Sequence, residues 1–286
     1  MSIAIWHDGR VVGPDEPLVS GVDHGLTVGD GVFETCAVYD GQVFALTRHL
    51  ARLARGAAGL GLAPPDEPRI REGIAGVLAA KPDAGRLRIT VTDGPGPLGS
   101  FREPPDAGRQ TVLVLAGPAG PPAPARVIRV PWVRNERSAV VGLKTTSYAE
   151  NVVALAAARD AGADEALLAN TVGELCEGTA SNVFVERGGE LLTPHLSSGC
   201  LEGITRELVL EWCASAGLPV RDAAPGELRY DLLDEVEAGR AHLALAGSIR
   251  NLVPVVALDG TAVAPGEITE AAMAVFAERR REQIDP

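Results

Sequence analysis

The chain has 286 residues, a formal net charge of −12, 46% hydrophobic and 22% charged residues. That length and composition suit one or two globular domains with a sizeable core, while the negative balance argues against nucleic acid or an anionic membrane surface as partner. A local basic pocket for a small anion remains compatible with it.

The cysteines Cys36, Cys176, Cys200 and Cys213 are widely spaced and form no CxxC pair. They read as free thiols in a reducing compartment, not as a disulfide frame or zinc site. The opening Met-Ser-Ile-Ala-Ile-Trp-His-Asp-Gly-Arg lacks a signal-peptide core, and no apolar run reaches the length of a membrane span, which predicts a cytoplasmic protein. Residues 3–12 read as a hairpin turning at Asp8-Gly9. The glycine-dense stretch 21–31 leads to strands over 32–38 and 42–45 around Asp40-Gly41. Helical spacing of Leu50, Leu53, Ala54 and Ala57 predicts a helix over 47–60, followed by a second over 69–80 and strands over 85–92 and 110–116. Two helices against an antiparallel sheet give an α+β domain over residues 1–116. Gly117-Pro118-Ala119-Gly120-Pro121-Pro122-Ala123-Pro124 reads as a linker, and residues 125–286 as a second domain.

That second part opens with a strand over 126–133. A helix over 149–161 follows, with Val152, Val153, Leu155 and Ala156 at helical spacing and Gly162 as its stop. Strands are expected over 165–170, from 175 onward, over 182–185 and 190–193, and later over 242–246 and 253–258. Further helices are expected over 203–216 and about 269–281.

Candidate chemistry centres on Gly142-Leu143-Lys144-Thr145-Thr146-Ser147-Tyr148. Lys144 is ringed by hydroxyl and apolar residues with no acid within five positions. It is either a solvated lysine or one in dry surroundings, where a lowered pKa makes the amine a Schiff-base nucleophile. Gly94-Pro95-Gly96-Pro97-Leu98-Gly99 matches a dinucleotide fingerprint in form, but the prolines that follow deny the helix such a site needs, so the segment reads as a long loop. His7, His24, His49, His195 and His242 show no ligand spacing, and no metal is expected. Glu177, followed by small and hydroxyl residues, is either part of a polar turn or a carboxylate in a close-packed pocket. The start of the 203–216 helix, at Gly203, Ile204 and Thr205, offers N–H groups to an anion or is ordinarily capped. Arg52, beside the Leu50 and Leu53 stripe, is a surface residue or reaches inward toward a phosphate.

In this order, four segments resemble the class IV aminotransferases, the pyridoxal-phosphate enzymes of fold type IV. They are His49-Leu50-Ala51-Arg52-Leu53, Lys144 with its following helix, Glu177-Gly178-Thr179-Ala180-Ser181-Asn182-Val183-Phe184 and Leu201-Glu202-Gly203-Ile204-Thr205-Arg206. The family includes branched-chain and D-amino-acid transaminases, (R)-amine transaminases and 4-amino-4-deoxychorismate lyase. The resemblance runs over nearly the whole chain, from Trp6-His7-Asp8-Gly9 to Asp259-Gly260. It implies a small N-terminal α+β domain, a larger barrel-like C-terminal α/β domain, pyridoxal 5′-phosphate as cofactor and a homodimer. Lys144 matches the lysine that forms the Schiff base and moves the substrate proton. Glu177 matches the carboxylate on the pyridine nitrogen, where an anion keeps that nitrogen protonated and the ring an electron sink. Arg52, Ile204, Thr205 and, after Gly247, Ser248 match the phosphate ligands, Leu201 the residue under the ring, and Tyr148 a tyrosine beside the cofactor. Ser181, Asn182 and Gly203 belong to the same cofactor-binding segments.

For substrate, the resemblance implies transamination between an amino acid or amine and a 2-oxo acid. D-amino acids or (R)-amines come first as donors, with branched-chain L-amino acids and the lyase reaction as alternatives. The tyrosine and Arg-x-His carboxylate trap of well-known D-amino-acid transaminases is altered: the corresponding places hold Phe33, Leu98 and Ser100, with Arg102 displaced. Thr179 and Ala180 complete the expected substrate contacts, and Arg102, Arg134 and Arg137 are the arginines open for the carboxylate.

Overall fold

The structure, a computed structural model, describes residues 3–286, so Met1 and Ser2 of the opening stretch lie outside the described residues. The chain divides into two units. The first takes the chain up to Gly120 together with Leu143–Tyr148 and Ile284–Pro286; the second holds Pro121–Gly142 and Ala149–Gln283. The Lys144 stretch therefore belongs to the first unit, although in sequence it follows the Gly/Pro linker.

In the first unit, β1 (Ala4–His7) and β2 (Arg10–Val12) form the expected hairpin, with α1 (His24–Thr27) after it. Then come β3 (Gly31–Tyr39), β4 (Gln42–Val43), α2 (Leu46–Leu60), α3 (Glu67–Ala80), β5 (Arg86–Thr92) and β6 (Val112–Gly117). The strands make one antiparallel sheet in the order β2-β1-β6-β5-β3-β4. Side chains alternate across a strand, so Val32, Cys36 and Val38 of β3 join Leu87, Ile89 and Val91 of β5 in the core with Leu50, Leu53 and Ala57 of α2. Helix α3 lies close on β1 and β6: a Cβ on Gly73 would come within 2.8 Å of Trp6 and Val114, so only glycine lets the helix approach this near.

In the second unit, β7 (Ala125–Arg134) is followed by α4 (Ala149–Asp160), β8 (Glu165–Asn170), β9 (Leu175–Gly178), β10 (Asn182–Arg187) and β11 (Glu190–Thr193). Next are α5 (Ile204–Ser215), β12 (Val220–Asp222), α6 (Leu233–Glu237), β13 (His242–Gly247), β14 (Asn251–Leu258), β15 (Thr261–Ala262) and α7 (Glu267–Glu282). The strands form a mixed sheet ordered β12-β11-β10-β13-β14-β7-β8-β9, with β15 on β14. Its end strand β9 also touches β10, so the sheet curls back on itself as a barrel-like domain does. Mixed helices and curled sheets make the α+β architecture that the resemblance implies.

Helix α4 forms where its spacing predicts, but the spaced valines do not make its buried face. Its buried residues are Asn151, Ala154 and Ala158, whereas Val152 and Val153 are 63% and 53% exposed. The small residues face β7 and β8 because the helix packs tightly there, and the β-branched pair faces out. Among the described residues, no helix is long and apolar enough to cross a membrane.

Buried Glu186 of β10 caps α7. Its carboxylate accepts from the N–H groups of Ile268 (3.1 Å) and Thr269 (2.8 Å) and from the Thr269 hydroxyl (2.9 Å). The cap residue Gly266 leaves room for it, since a Cβ there would stand 1.9 Å from Glu186 Oε2. Glu186→Ala strands these donors and is expected to lower stability by about 1.5–3 kcal/mol, read as an earlier urea-unfolding midpoint. An unchanged midpoint would contradict the capping role.

Candidate active site

Lys144 is fixed to the first unit through its backbone. Its carbonyl accepts from Phe33 N–H at 3.0 Å, Thr146 N–H donates to Gly31 O at 2.8 Å, and Thr145 bridges Val32. The hydroxyls of Thr146 (2.8 Å) and Ser147 (3.0 Å) both donate to Gly29 O. The reason lies in β4, which pairs only with Val38 and Tyr39 and leaves the first half of β3 without a neighbour on that side. The 144–146 backbone takes that edge.

Register then decides what surrounds the amine. Phe33 stands opposite Thr90 and Thr35 opposite Arg88, so these four side chains share one face of the sheet. The Lys144 ammonium lies 4.4 Å from the centre of the Phe33 ring and 5.6 Å from that of Tyr148. Phe33 and Tyr148 meet edge to face at 5.2 Å. The Arg88 guanidinium lies over the same Phe33 ring at 3.9 Å, with its Nε donating to the Thr90 hydroxyl at 3.2 Å. Burial pulls Arg88 below the usual arginine range.

Glu34, between Phe33 and Thr35 in sequence, points to the opposite, helix-covered face. Arg52 Nε and Nη2 each donate to it at 2.7 Å, and His49 Nδ1 lies 2.7 Å from Oε2. Burial pushes this carboxyl up, but the Arg52 charge and the bonds from Arg52 and His49 outweigh it and hold it at about 2. Arg52, which sequence places beside the apolar stripe, does reach inward.

The second unit builds a separate constellation. Glu177 on β9 accepts from Arg134 Nε at 3.1 Å and from the Leu201 N–H at 2.9 Å. Arg134 also reaches Glu150 (3.2 Å) and Asn151 Oδ1 (3.3 Å), while Asn151 Nδ2 donates to Thr179 O at 2.6 Å. Asn182 Nδ2 donates to Leu201 O at 2.7 Å, so the Leu201 peptide is held on both sides. A Cβ on Gly203 would lie 1.9 Å from Asn182 Oδ1, which makes glycine obligatory at that turn. Helix α5 starts immediately after, with no side-chain cap on its first N–H groups and with Thr205 buried in the first turn. Free N–H groups and a hydroxyl at a helix start are the kind of donors an anion can use. Gly247 and Ser248 lie half-buried at the end of β13.

Several expected contacts have other work. Buried Glu165 accepts from the Ser181 hydroxyl (2.7 Å), the Ala180 N–H (3.0 Å) and the Thr179 hydroxyl (3.4 Å), and pairs with Arg250 at 2.6 Å. It shapes the 179–181 turn with the Ser181 hydroxyl as a support, while the Asn182 side chain holds the Leu201 carbonyl. Leu98 is 86% exposed and Ser100 is exposed. Arg102 is bound to Asp30 and to Leu60 O, and Arg134 to Glu177 and Glu150, so both candidates for the substrate carboxylate already hold acids. Arg137 is solvent-exposed. Sequence reasoning passed over Arg88, Glu34 and Glu165, because charged residues on strands ordinarily face water.

His24, Asp30 and Asp93 place ligand-type atoms within 4.8 Å of one another, a proximity the sequence spacing does not show. Each carboxylate already carries a guanidinium, Asp30 that of Arg102 and Asp93 that of Arg109. The cluster is charge-balanced and straps the 93–109 loop to the 22–31 segment.

The first unit thus holds an amine against aromatic rings, and the second a carboxylate paired with an arginine and a peptide N–H beside a helix start without a side-chain cap. Residues 31–258 match the family described as amino-transferase class IV. The chain belongs to the class IV aminotransferases. It is 33% identical over 275 residues to a putative branched-chain-amino-acid aminotransferase of Methanocaldococcus jannaschii, covering 93% of this chain and 92% of that one. A bifunctional aminodeoxychorismate lyase / D-amino acid transaminase of Mycobacterium tuberculosis is 30% identical over 243 residues, covering 73% and 78%. Among solved structures, the branched-chain aminotransferase of Thermoproteus uzoniensis with norvaline superposes with a TM-score of 0.84 at 29% identity, covering 98% of this chain and 94% of that one. Class IV aminotransferases depend on pyridoxal phosphate and use amino and oxo acids as substrates, and this chain is one of these enzymes.

The Gly203 turn gives a direct check. Gly203→Ala pushes Asn182 off the Leu201 carbonyl and disturbs the start of α5. Losing one such buried contact, at about 1–3 kcal/mol, is expected to weaken pyridoxal phosphate binding roughly tenfold or more in a fluorescence titration. Unchanged affinity would show that this turn does not hold the cofactor.

Proposed function

We propose that this aminotransferase exchanges an amino group between an aliphatic α-amino acid of the branched-chain type and a 2-oxo acid, with Lys144 as its catalytic residue. The observation that carries the reading is the convergence of the Lys144 amine and the Arg88 guanidinium on the Phe33 ring. Bound pyridoxal phosphate supplies the electron sink that makes the substrate Cα–H acidic. Lys144 Nζ takes the proton from that carbon of the amino donor and, in the return half-reaction, delivers a proton to the Cα formed from the 2-oxo acid. Glu177, bonded by Arg134 and the Leu201 N–H, presents its carboxylate to the pyridine nitrogen and keeps that nitrogen protonated. Arg52, Ile204, Thr205 and Ser248 hold the phosphate, Leu201 and Tyr148 confine the ring, and Phe33 lines the substrate position.

Arg88 is the substrate-carboxylate cation in this account, in place of Arg102 or Arg134. A half-buried guanidinium next to the reactive amine favours a donor that brings a carboxylate. This moves the donor class away from simple (R)-amines, which would leave Arg88 without an anionic partner. The names of the Methanocaldococcus and Thermoproteus relatives support branched-chain amino acids ahead of the D-amino acids or (R)-amines the sequence put first. The bifunctional mycobacterial relative favours a second reading, D-amino-acid transamination with aminodeoxychorismate lyase activity. The working form in this reading is a cytoplasmic homodimer, supported by exposed apolar residues clustered in sequence at Trp132, Val133, Val140, Val141, Val152 and Val153.

Half-reactions test the donor class. L-leucine is expected to convert the visible cofactor band, at roughly 410–420 nm, to one near roughly 330 nm. (R)-phenylethylamine is expected to act poorly. Conversion by D-alanine alone, or pyruvate and 4-aminobenzoate from 4-amino-4-deoxychorismate, would establish the second reading. Arg88→Met is expected to raise KM for the amino acid by about 10–100-fold while leaving the cofactor band in place, as befits a lost charge-assisted pair of about 1.5–3 kcal/mol. An unaltered KM would remove Arg88 from the substrate site.

A further inference from the structure

The buried contact between α2 and β3 poses a problem of charge. Arg52, read above as a phosphate ligand, is bound through two nitrogens to Glu34, whose side chain is fully buried. With Glu34 held ionised at a pKa of about 2, the two charges cancel at neutral pH. Burial pushes His49 below the usual histidine range, against the pull of Glu34, so the imidazole is uncharged there. The group that meets a phosphate dianion thus has no net charge. The α5 helix start contributes only a partial charge, and bringing a dianion to a neutral buried group is costly.

His49 is built to resolve this. Ionised Glu34 can only accept, so His49 Nδ1 must carry the hydrogen in the neutral ring. Protonation then adds a hydrogen at Nε2 and leaves the Nδ1–Glu34 bond intact. Other charged or titratable groups do not take this role. From β3, Cys36 also lies in this contact, but its thiol is pushed well up by burial and stays neutral. From the 143–148 stretch, Lys144 opposes a charge on His49. From α2, Arg48 is tied to the terminal Pro286 carbonyl, and Thr47 holds Asp285 at the start of the helix.

We propose that His49 takes up a proton as the cofactor phosphate binds, so that the Glu34–His49 pair sets both the aim and the net charge of the Arg52 site. Both are positioning residues that act through Arg52, and the inference rests on Arg52 being a phosphate ligand. Phosphate affinity is then linked to pH through a buried imidazole that touches neither substrate nor the reacting atoms.

The test uses the cofactor-free full chain and pyridoxine 5′-phosphate, which has the phosphate but no aldehyde to react with Lys144. Calorimetric titration at pH 8 in buffers of different ionisation enthalpy reads the protons exchanged. The wild type is expected to take up about one proton per site, and its Kd to weaken by up to about tenfold per pH unit from pH 7 to 9. In His49→Asn, which keeps a donor toward Glu34 but cannot titrate, uptake is expected to vanish and the pH dependence to flatten. Undiminished uptake in that variant, or none in the wild type, overturns the proposal. If the variant does not fold, histidine NMR of the wild type decides: a His49 pKa that rises on binding supports the proposal, and one that does not move overturns it. Arg52→Gln separates the two levels. Weakened binding in Arg52→Gln with no wild-type proton uptake refutes only the role of His49, whereas undiminished binding in Arg52→Gln refutes the phosphate reading beneath it.

Discussion

The backbone pairing of residues 144–146 with the start of β3 is the constraint on which the first unit's chemistry depends. Two peptide hydrogen bonds and two hydroxyls on the Gly29 carbonyl fix a stretch that sequence separates from β3 by more than a hundred positions. That pairing puts the amine over Phe33. It works because β4 is short and leaves an edge to fill. A longer β4 would close the edge and leave Lys144 on a solvated loop.

Strand β3 then serves two purposes through the alternation of its side chains. Phe33 and Thr35 face the amine and Arg88, while Glu34 faces α2 and orders Arg52 and His49. One pleat separates the residues beside the amine from the carboxylate that binds Arg52 and His49. In the second unit, Glu177 and Glu165 play comparable parts: each is a carboxylate whose partners come from distant segments and whose bonds shape a turn. These acids carry fixed charge inside the protein, where paired charges are tolerated and unpaired ones are not.

Much of the fold is legible in the sequence, because period-2 and period-3.6 patterns report directly on burial. The β3, β5 and β6 strands and helix α2 follow their apolar spacing closely. Strand β12, three residues long, and helix α6, five long, lack the length to show a period. Helix α4 misleads because its buried face is made of Asn151 and alanines, while its valines are exposed. At the site, Lys144, Glu177 and Arg52 stand out through their neighbours. Arg88 does not, since Arg86-Leu87-Arg88 reads as a strand with its arginines in water. The partners of Arg102 and Arg134 lie 72 and 43 positions away, so no local pattern shows that these guanidiniums are already occupied. The strand-edge pairing that assigns Lys144 to the first unit is equally non-local.

The chain contains two lysines, Lys81 and Lys144, and Lys81 is paired with Asp83 at the end of α3. Borohydride reduction of the enzyme loaded with pyridoxal phosphate, followed by proteolysis and mass spectrometry, therefore gives an unambiguous answer. The account predicts one phosphopyridoxyl group per chain, on Lys144. Stoichiometric labelling of Lys81, or no stable label on a chain shown to bind the cofactor, would contradict the assignment of Lys144 as the catalytic amine.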